Sequence, residues 1–414
     1  MKKILIAGGG IGGLTAALSL HKAGFDVHVY ESSAELKALG VGINLLPHAV
    51  RVLTNLGLKD SLSEIAVATS ELVYHNKFGQ MIWQEPRGEF AGYNWPQFSI
   101  HRGMFQMLLF EEAKRVLGAD HIHTGHHLQN YENTAAGVAA TFLVKETNEL
   151  IIAKGNALIG ADGIHSVVRK QFYPNEGIPI FSGIILHRGV TKAKPFRSGS
   201  SMIMAGSSGQ KFVAYPISPK VDGDGNQVIN WIADLKAGTE GNIIERDWNR
   251  KADKQKLLSA FQSWQFDWLD VPCLINGADA IYEFPMSDRD PLPRWSFDGI
   301  TLLGDAAHPM YPIGSNGASQ AILDAECLAQ SLINNEDIID GLKAYETIRL
   351  EATKNIVLQN RKMGPEQVMQ IVEDRAPNGF IDLYDVITQA ELEEVAARYK
   401  KVAAFEKETL NQKI

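Results

Sequence analysis

The chain opens on a compact apolar run at 3–7, then a glycine cluster, then apolar positions Ile11, Leu14, Ala17 and Leu18 at helical spacing. The first run reads as a short buried strand and 11–23 as a helix closed by Gly24. From 26 to 30 apolar and polar residues alternate like a second strand, so the opening is a βαβ unit. Further along, 47–56 reads as a helix closed by Gly57, 98–100 as a strand and 104–116 as a helix. Two more apolar strands, 156–159 and 300–303, each run straight into a glycine–acid turn. Helices are expected at 318–332 and 337–357, and the charged tail 366–414 has amphipathic spacing at Leu392, Val395, Tyr399 and Val402.

Two stretches differ in character. Residues 74–95 and 181–282 are rich in β-branched and aromatic side chains, with turn clusters such as Asp222-Gly223-Asp224-Gly225-Asn226. They predict a second, mostly antiparallel layer. No internal repeat or low-complexity linker interrupts the chain. The expected architecture is an α/β dinucleotide-binding domain with a Rossmann-like βαβ, assembled from 1–73, 98–178 and 280–362. A β-rich domain from 74–97 and 179–279 interrupts it, and C-terminal helices occupy 363–414.

Composition narrows this further. At 414 residues the chain exceeds the size at which one core stops growing, and two or three domains are expected. A net charge of −8 with no Lys/Arg-rich run gives nucleic acid or an anionic membrane little to hold. Cys273 and Cys327 stand far apart, outside any CxxC or Cys/His spacing, which disfavours a disulfide framework and fits a reducing cytoplasm. The start, Met1-Lys2-Lys3 and the apolar run 4–20, superficially looks like an export signal. Its centre, Gly8-Gly9-Gly10-Ile11-Gly12-Gly13, is a poor membrane helix and a good strand-to-helix turn, so a cytoplasmic location is expected.

The first chemical signal is Gly8-x-Gly10-x-x-Gly13, placed after a strand and opening a helix. Gly8 permits the tight turn, Gly10 lets backbone approach a pyrophosphate, and Gly13 allows close helix–strand packing. Glu31 ends the next strand eighteen residues later (31 − 13), where an acid hydrogen-bonds a ribose hydroxyl. This motif alone does not separate FAD from NAD.

The second signal does. Thr301-Leu302-Leu303-Gly304-Asp305-Ala306-Ala307-His308-Pro309 resembles the Gly-Asp motif of the single-component flavoprotein aromatic hydroxylases, of para-hydroxybenzoate-hydroxylase-like fold. In that family the aspartate holds the ribityl chain of FAD. Asp162-Gly163, within the segment 158–169, resembles the family's Asp-Gly motif, associated with the FAD pyrophosphate and NAD(P)H. Ser99-Ile100-His101-Arg102 looks like the arginine that reaches back to the cofactor. The resemblance runs from Ile4 to about Arg361 and is nearest to the phenazine- and salicylate-type branch. It is carried there by Leu39-Gly40-Val41-Gly42-Ile43-Asn44, Glu85-Pro86-Arg87-Gly88 and Asp288-Arg289-Asp290-Pro291-Leu292-Pro293. It implies FAD as cofactor, NAD(P)H and O2 as co-substrates, and a small aromatic or N-heteroaromatic substrate in the β-rich domain. Hydroxylation would use oxygen activated at the flavin C(4a) carbon, with loss of carbon dioxide where the attacked carbon bears a carboxylate. No membrane or nucleic-acid partner is implied, and a homodimer is compatible with the sequence.

Pro312, Gly314, Gly317 and Ala318 precede or open a helix whose positive end would face the flavin, the small residues letting a planar ring approach. The family often places Asn where Ser319 stands. Substrate-pocket candidates are His187, Arg188, Met204, Tyr215, Trp231, Phe284, Met286 and Met310. Ordinary core packing is the alternative for each; His187 and Arg188 stand out because a cationic strand residue could hold a carboxylate or phenolate, with a surface role the alternative for Arg188. His308 reads as structural rather than as a catalytic base, and Asp162 doubles as a helix cap. His121, His123, His126 and His127 crowd one stretch without acids or cysteines at ligand spacing, so a solvated strand and turn is expected and no metal. The competing functions are a same-fold halogenase or reductase, or a flavin-binding sensor. Trp264 and Trp268 do not make the Trp-x-Trp-x-Ile-Pro motif of a halogenase.

Overall fold

A computed structural model describes residues 1–38, 40–237 and 251–412. Leu39, which opens the stretch running to Asn44, and positions 238–250 of the β-rich region lie outside the described residues.

The βαβ opening forms as expected, with strands Lys3–Ala7 and Asp26–Glu31 flanking helix Ile11–Lys22. Five parallel strands make the first sheet, in the order Ile300–Leu302, Ala157–Gly160, Lys3–Ala7, Asp26–Glu31, Ile122–Thr124. Both faces are covered, so the central strands are continuous apolar runs rather than alternating ones; Ile4, Leu5 and Ile6 are fully buried. Helices Ile11–Lys22, Arg102–Leu117 and Gly317–Ile333 pack together over this sheet. The helix expected at 104–116 starts two residues earlier, because the His101 ring accepts the Met104 amide as an N-cap. Arg102 is therefore its first residue.

The second sheet has seven strands, ordered Ile281–Asp288, Ile180–Ala193, Gln227–Lys236, Gln210–Pro216, Ser201–Gly206, Glu71–His75, Met81–Pro86. All neighbours are antiparallel except Ser201–Gly206 with Glu71–His75. The strand period of two sorts its side chains into two populations. Phe212, Ala214, Trp231 and Ala233 point to one face and join Leu257, Phe261, Leu274 and Ile275 in a separate core. Those last four come from two short helices, Lys254–Phe261 and Val271–Asn276, where the sequence reading had only strands. Each is started by an aspartate cap, Asp253 and Asp270, a signal that the β-branched and aromatic content of the region obscured. Met202, Met204, Val213 and Tyr215 point to the other face.

That other face is covered in part by the chain's own tail. Helices Gln367–Arg375 and Gln389–Val402 bury Val368, Met369, Val372, Leu392 and Val395 against it. The amphipathic spacing was read correctly for Leu392, Val395 and Tyr399, while Val402 is half-buried. The histidine-rich stretch is half-buried rather than solvated: parallel pairing of Val29–Glu31 with Ile122–Thr124 stacks His123 on Tyr30.

Among the described residues, no helix is long and apolar enough to cross a membrane.

Candidate active site

The three motifs converge at the carboxyl ends of the parallel strands, where open α/β sheets bind ligands. Gly8 has φ +115°, and a Cβ there would sit 2.2 Å from the Ala161 carbonyl oxygen. A Cβ on Gly13 would lie 2.0 Å from the Gly8 carbonyl oxygen, so helix and turn touch backbone to backbone. Gly10 is different: nothing lies within 4 Å of where its Cβ would be. Its missing side chain leaves open space at the helix N-terminus, the environment a phosphate requires. Glu31 accepts the Gly9 amide at 2.7 Å and the Ser33 amide at 2.6 Å, which fixes its carboxylate at the mouth of a cavity of about 520 Å³. Asp162 and Arg102 line the same cavity.

Asp162 supports the start of helix Val167–Phe172, whose N-cap is Ser166, by accepting the Val167 amide at 2.7 Å through Oδ2. Its Oδ1 is buried without a partner among the described residues, and burial raises its pKa above the usual carboxylate range. A buried carboxylate oxygen lacking a donor beside an open trough fits a ligand that brings one. From the same segment Arg169 reaches across and donates to the carbonyls of Ala306 (3.1 Å) and Ala307 (2.9 Å). The Asp-Gly and Gly-Asp motifs are thus tied to each other directly.

Gly304 has φ +62° and its amide donates to Asp324 Oδ2 at 3.0 Å. Asp324 also pairs with His308 Nε2 at 2.6 Å and Arg349 Nε at 2.7 Å. Burial opposes its ionisation, yet His308 and Arg349 outweigh it and hold the pKa at about 2. His308 is therefore structural, as the sequence reading had it. Asp324 was missed as an organiser, since an acid in a helix gives no sign of its partners. Asp305, carried by the turn so fixed, opens into a second cavity of about 350 Å³ that Arg102 also lines. Surrounding protein raises its pKa, opposed by His308 and Arg102.

This second cavity lies between the two sheets. On one side stand Pro312, Ser315, Asn316, Gly317 and Ala318, and the position a Gly317 Cβ would take is open. Gly314 is a correction: it has φ +67° and faces the tail, where a Cβ would lie 2.0 Å from the Tyr399 hydroxyl. Ser319 also faces away, its hydroxyl accepting the Leu46 amide at 3.1 Å. On the opposite side the seven-stranded sheet contributes Arg188, Met204 and Tyr215, and Met310 also lines the cavity.

Four pocket candidates are elsewhere. His187 and Trp231 are one residue out of phase with Arg188 and Ile232, so the pleat turns them to the sheet's other face. His187 contacts the Ala233 carbonyl through Nδ1 at 3.1 Å, and Trp231 donates to Thr191 Oγ1 at 3.0 Å. Phe284 and Met286 are on the cavity side but at its margin, packed with Leu186, Tyr311 and Ile313. On the side of the seven-stranded sheet the missed lining residues are Leu186, Met202, Lys211, Val213, Ile232, Asp234 and, from the tail, Glu366. All but Glu366 lie in phase with Arg188, Met204 or Tyr215, so strict alternation was the available signal. Glu366 arrives from the tail, with no local signal.

Charge in the cavity is uneven. Lys211 Nζ sits 3.0 Å from Asp234 and 2.5 Å from Glu366, a closed cluster that overcomes burial and raises the lysine pKa. Arg188 instead contacts the Gly42 carbonyl at 3.3 Å and the Tyr215 hydroxyl, with its Nε buried and unpartnered. Burial lowers its pKa, and Tyr215 is pushed up to about 12 by its own burial despite Arg188.

A family profile described as FAD binding domain matches residues 1–360. The phenazine 1,6-dicarboxylic acid hydroxylase of Lysobacter antibioticus is 43% identical over 86% of this chain and 89% of its own length. The chain belongs to the FAD-binding family of flavin-dependent aromatic hydroxylases. A second member, the 3-hydroxybenzoate 6-hydroxylase of Polaromonas naphthalenivorans, is 30% identical over 92% of this chain and 94% of its own. The fold matches Klebsiella pneumoniae HpxO, solved with FAD and uric acid, at TM-score 0.75, with 23% identity and coverage of 98% and 96%. As a family member the chain is a monooxygenase, with FAD as cofactor and NAD(P)H and O2 as co-substrates.

Proposed function

We propose that this hydroxylase acts on a planar aromatic or N-heteroaromatic ring bearing a carboxylate, of the phenazine or salicylate class. What carries the reading is Arg188, a cation facing the cavity without an ion-pair partner among the described residues, while neighbouring Lys211 is neutralised. A buried unpaired cation is costly, and a substrate anion relieves that cost. Met202, Met204, Val213, Ile232 and Met310 supply flat apolar walls for the ring. The similarity to a phenazine dicarboxylic acid hydroxylase supports the same class.

FAD, when bound, supplies electron transfer from NAD(P)H and the activation of oxygen. Gly8, Gly10, Gly13, Glu31, Arg102, Asp162, Gly304 and Asp305 would hold it, with the positive end of helix Gly317–Ile333 stabilising negative charge on its ring. Arg188 and Tyr215 orient the substrate, and the methionine-lined walls exclude water that would divert oxygen to peroxide. The test is equilibrium binding of phenazine-1-carboxylate and its carboxamide to the FAD-loaded protein, followed by flavin absorbance. Tighter binding of the carboxylate is expected; equal affinities would refute the Arg188 anchor.

A further inference from the structure

Parallel strand pairing assembles a side-chain cluster of residues that line neither cavity. Asp26 and His28 are two apart on strand Asp26–Glu31 and so share a face of the sheet. The turn Ala119–His121, leading into the neighbouring strand Ile122–Thr124, brings His121 onto the same face. Asp26 Oδ1 lies 3.4 Å from His28 Nε2 and 3.2 Å from His121 Nε2. All three groups offer a ligand atom within 4.8 Å of one another.

These distances have a meaning beyond ion pairing. In a tetrahedral zinc site, metal–nitrogen and metal–oxygen bonds of about 2.0 Å put neighbouring ligand atoms about 3.3 Å apart. Both aspartate–histidine separations match that edge. Two imidazoles and a carboxylate are a common donor set for such an ion, leaving the fourth position to water. Behind His28 a supporting contact is also in place. His28 Nδ1 lies 3.3 Å from His123 Nε2, so the ring nitrogen turned from Asp26 has a partner that fixes its orientation. His123 is itself stacked between His28 and Tyr30, at ring separations of 5.6 and 4.5 Å. The ligands are half-buried and reachable from solvent.

We propose that Asp26, His28 and His121 form a site for one divalent transition-metal ion of the zinc class. It would be a clip rather than part of the oxygen chemistry. The ion would pin strand Asp26–Glu31, which ends at the ribose-facing Glu31, to the turn before strand Ile122–Thr124. The sequence shows no acid at ligand spacing to the histidine-rich stretch because Asp26 precedes it by about ninety residues and reaches it only through β-pairing.

Untagged, FAD-loaded protein titrated calorimetrically with Zn2+ is expected to bind one ion with micromolar affinity or tighter. X-ray absorption of the loaded protein should show two imidazoles among N/O ligands at about 2.0 Å. His28→Ala and His121→Ala should each weaken binding about 100-fold, and His123→Phe about tenfold, with the flavin spectrum and turnover unchanged. If His28→Ala disturbs folding, Asp26→Asn replaces it. Added Zn2+ should raise the melting temperature of the parent protein and not of the variants. No site tighter than millimolar, or tight binding that persists in both histidine variants, overturns the proposal.

Discussion

His308 Nε2 and a carboxylate oxygen of Asp324 are 2.6 Å apart, directly beneath the turn that presents Asp305 to the cavity. The same oxygen accepts the Gly304 amide, and Arg349 holds the other. The position of the cavity-lining Asp305 is thus set by a second, buried aspartate nineteen residues on (324 − 305).

Asp324→Asn should therefore loosen the turn and leave Arg349 as an uncompensated buried charge. Removing one partner of such a network costs about 3–5 kcal/mol. Urea denaturation should show that loss, together with weaker FAD retention. The acid limb should change too. The folded pKa of about 2 is depressed from the ordinary 3.8, so the stabilisation is complete above pH 4 and is lost as pH falls toward 2. In the asparagine variant this part of the pH–stability curve should flatten.

Gly10 and Gly13 belong to one motif but should fail differently. Gly13→Ala forces a Cβ against the Gly8 carbonyl and should destabilise the apoprotein. Gly10→Ala puts its Cβ into open space, so the apoprotein should melt normally while FAD affinity falls. Paired melting curves and FAD titrations separate the two.

The contrast between those glycines was legible in the sequence as position within a motif. So were the parallel sheet, the antiparallel layer and the convergence of Arg102, Asp162 and Asp305. What failed was phase and distance. His187 and Arg188 are both candidates in the sequence, although adjacent strand residues face opposite ways, and Trp231 is a candidate where its neighbour Ile232 lines the cavity. Its indole instead fills the core behind the sheet, over Gly189, where a Cβ would lie 2.3 Å from the ring. Glu366 and Tyr399 reach the site from the tail, and local pattern carries no record of such long-range packing.

Arg188→Met should raise the Kd of a carboxylated substrate about 30- to 100-fold, the loss of one charge-assisted contact worth about 2–3 kcal/mol. The preference for carboxylate over carboxamide should vanish with it. His187→Ala, on the opposite face, should leave both affinities unchanged. Flavin-absorbance titrations of the two variants make the comparison.

Tyr399 connects the tail to the loop beside Gly317. Its hydroxyl accepts from Asn316 Nδ2 at 2.8 Å and lies 2.9 Å from Asn360 Oδ1. Tyr399→Phe leaves buried amide groups unsatisfied and should cost about 1–3 kcal/mol. Because Asn316 adjoins the cavity, the variant should also release a larger share of its oxygen as peroxide while still binding substrate. Peroxide assayed per NAD(P)H consumed reads this directly.

The most direct test of the proposed activity is NAD(P)H oxidation by the FAD-loaded protein across carboxylated and uncarboxylated phenazines, salicylates and quinolines, with peroxide and product measured together. Fast oxidation that depends on a carboxylated planar ring, yields hydroxylated product and releases little peroxide is the expected result. Bound, reducible FAD with no ligand-stimulated oxidation, or turnover indifferent to the carboxylate, would contradict it.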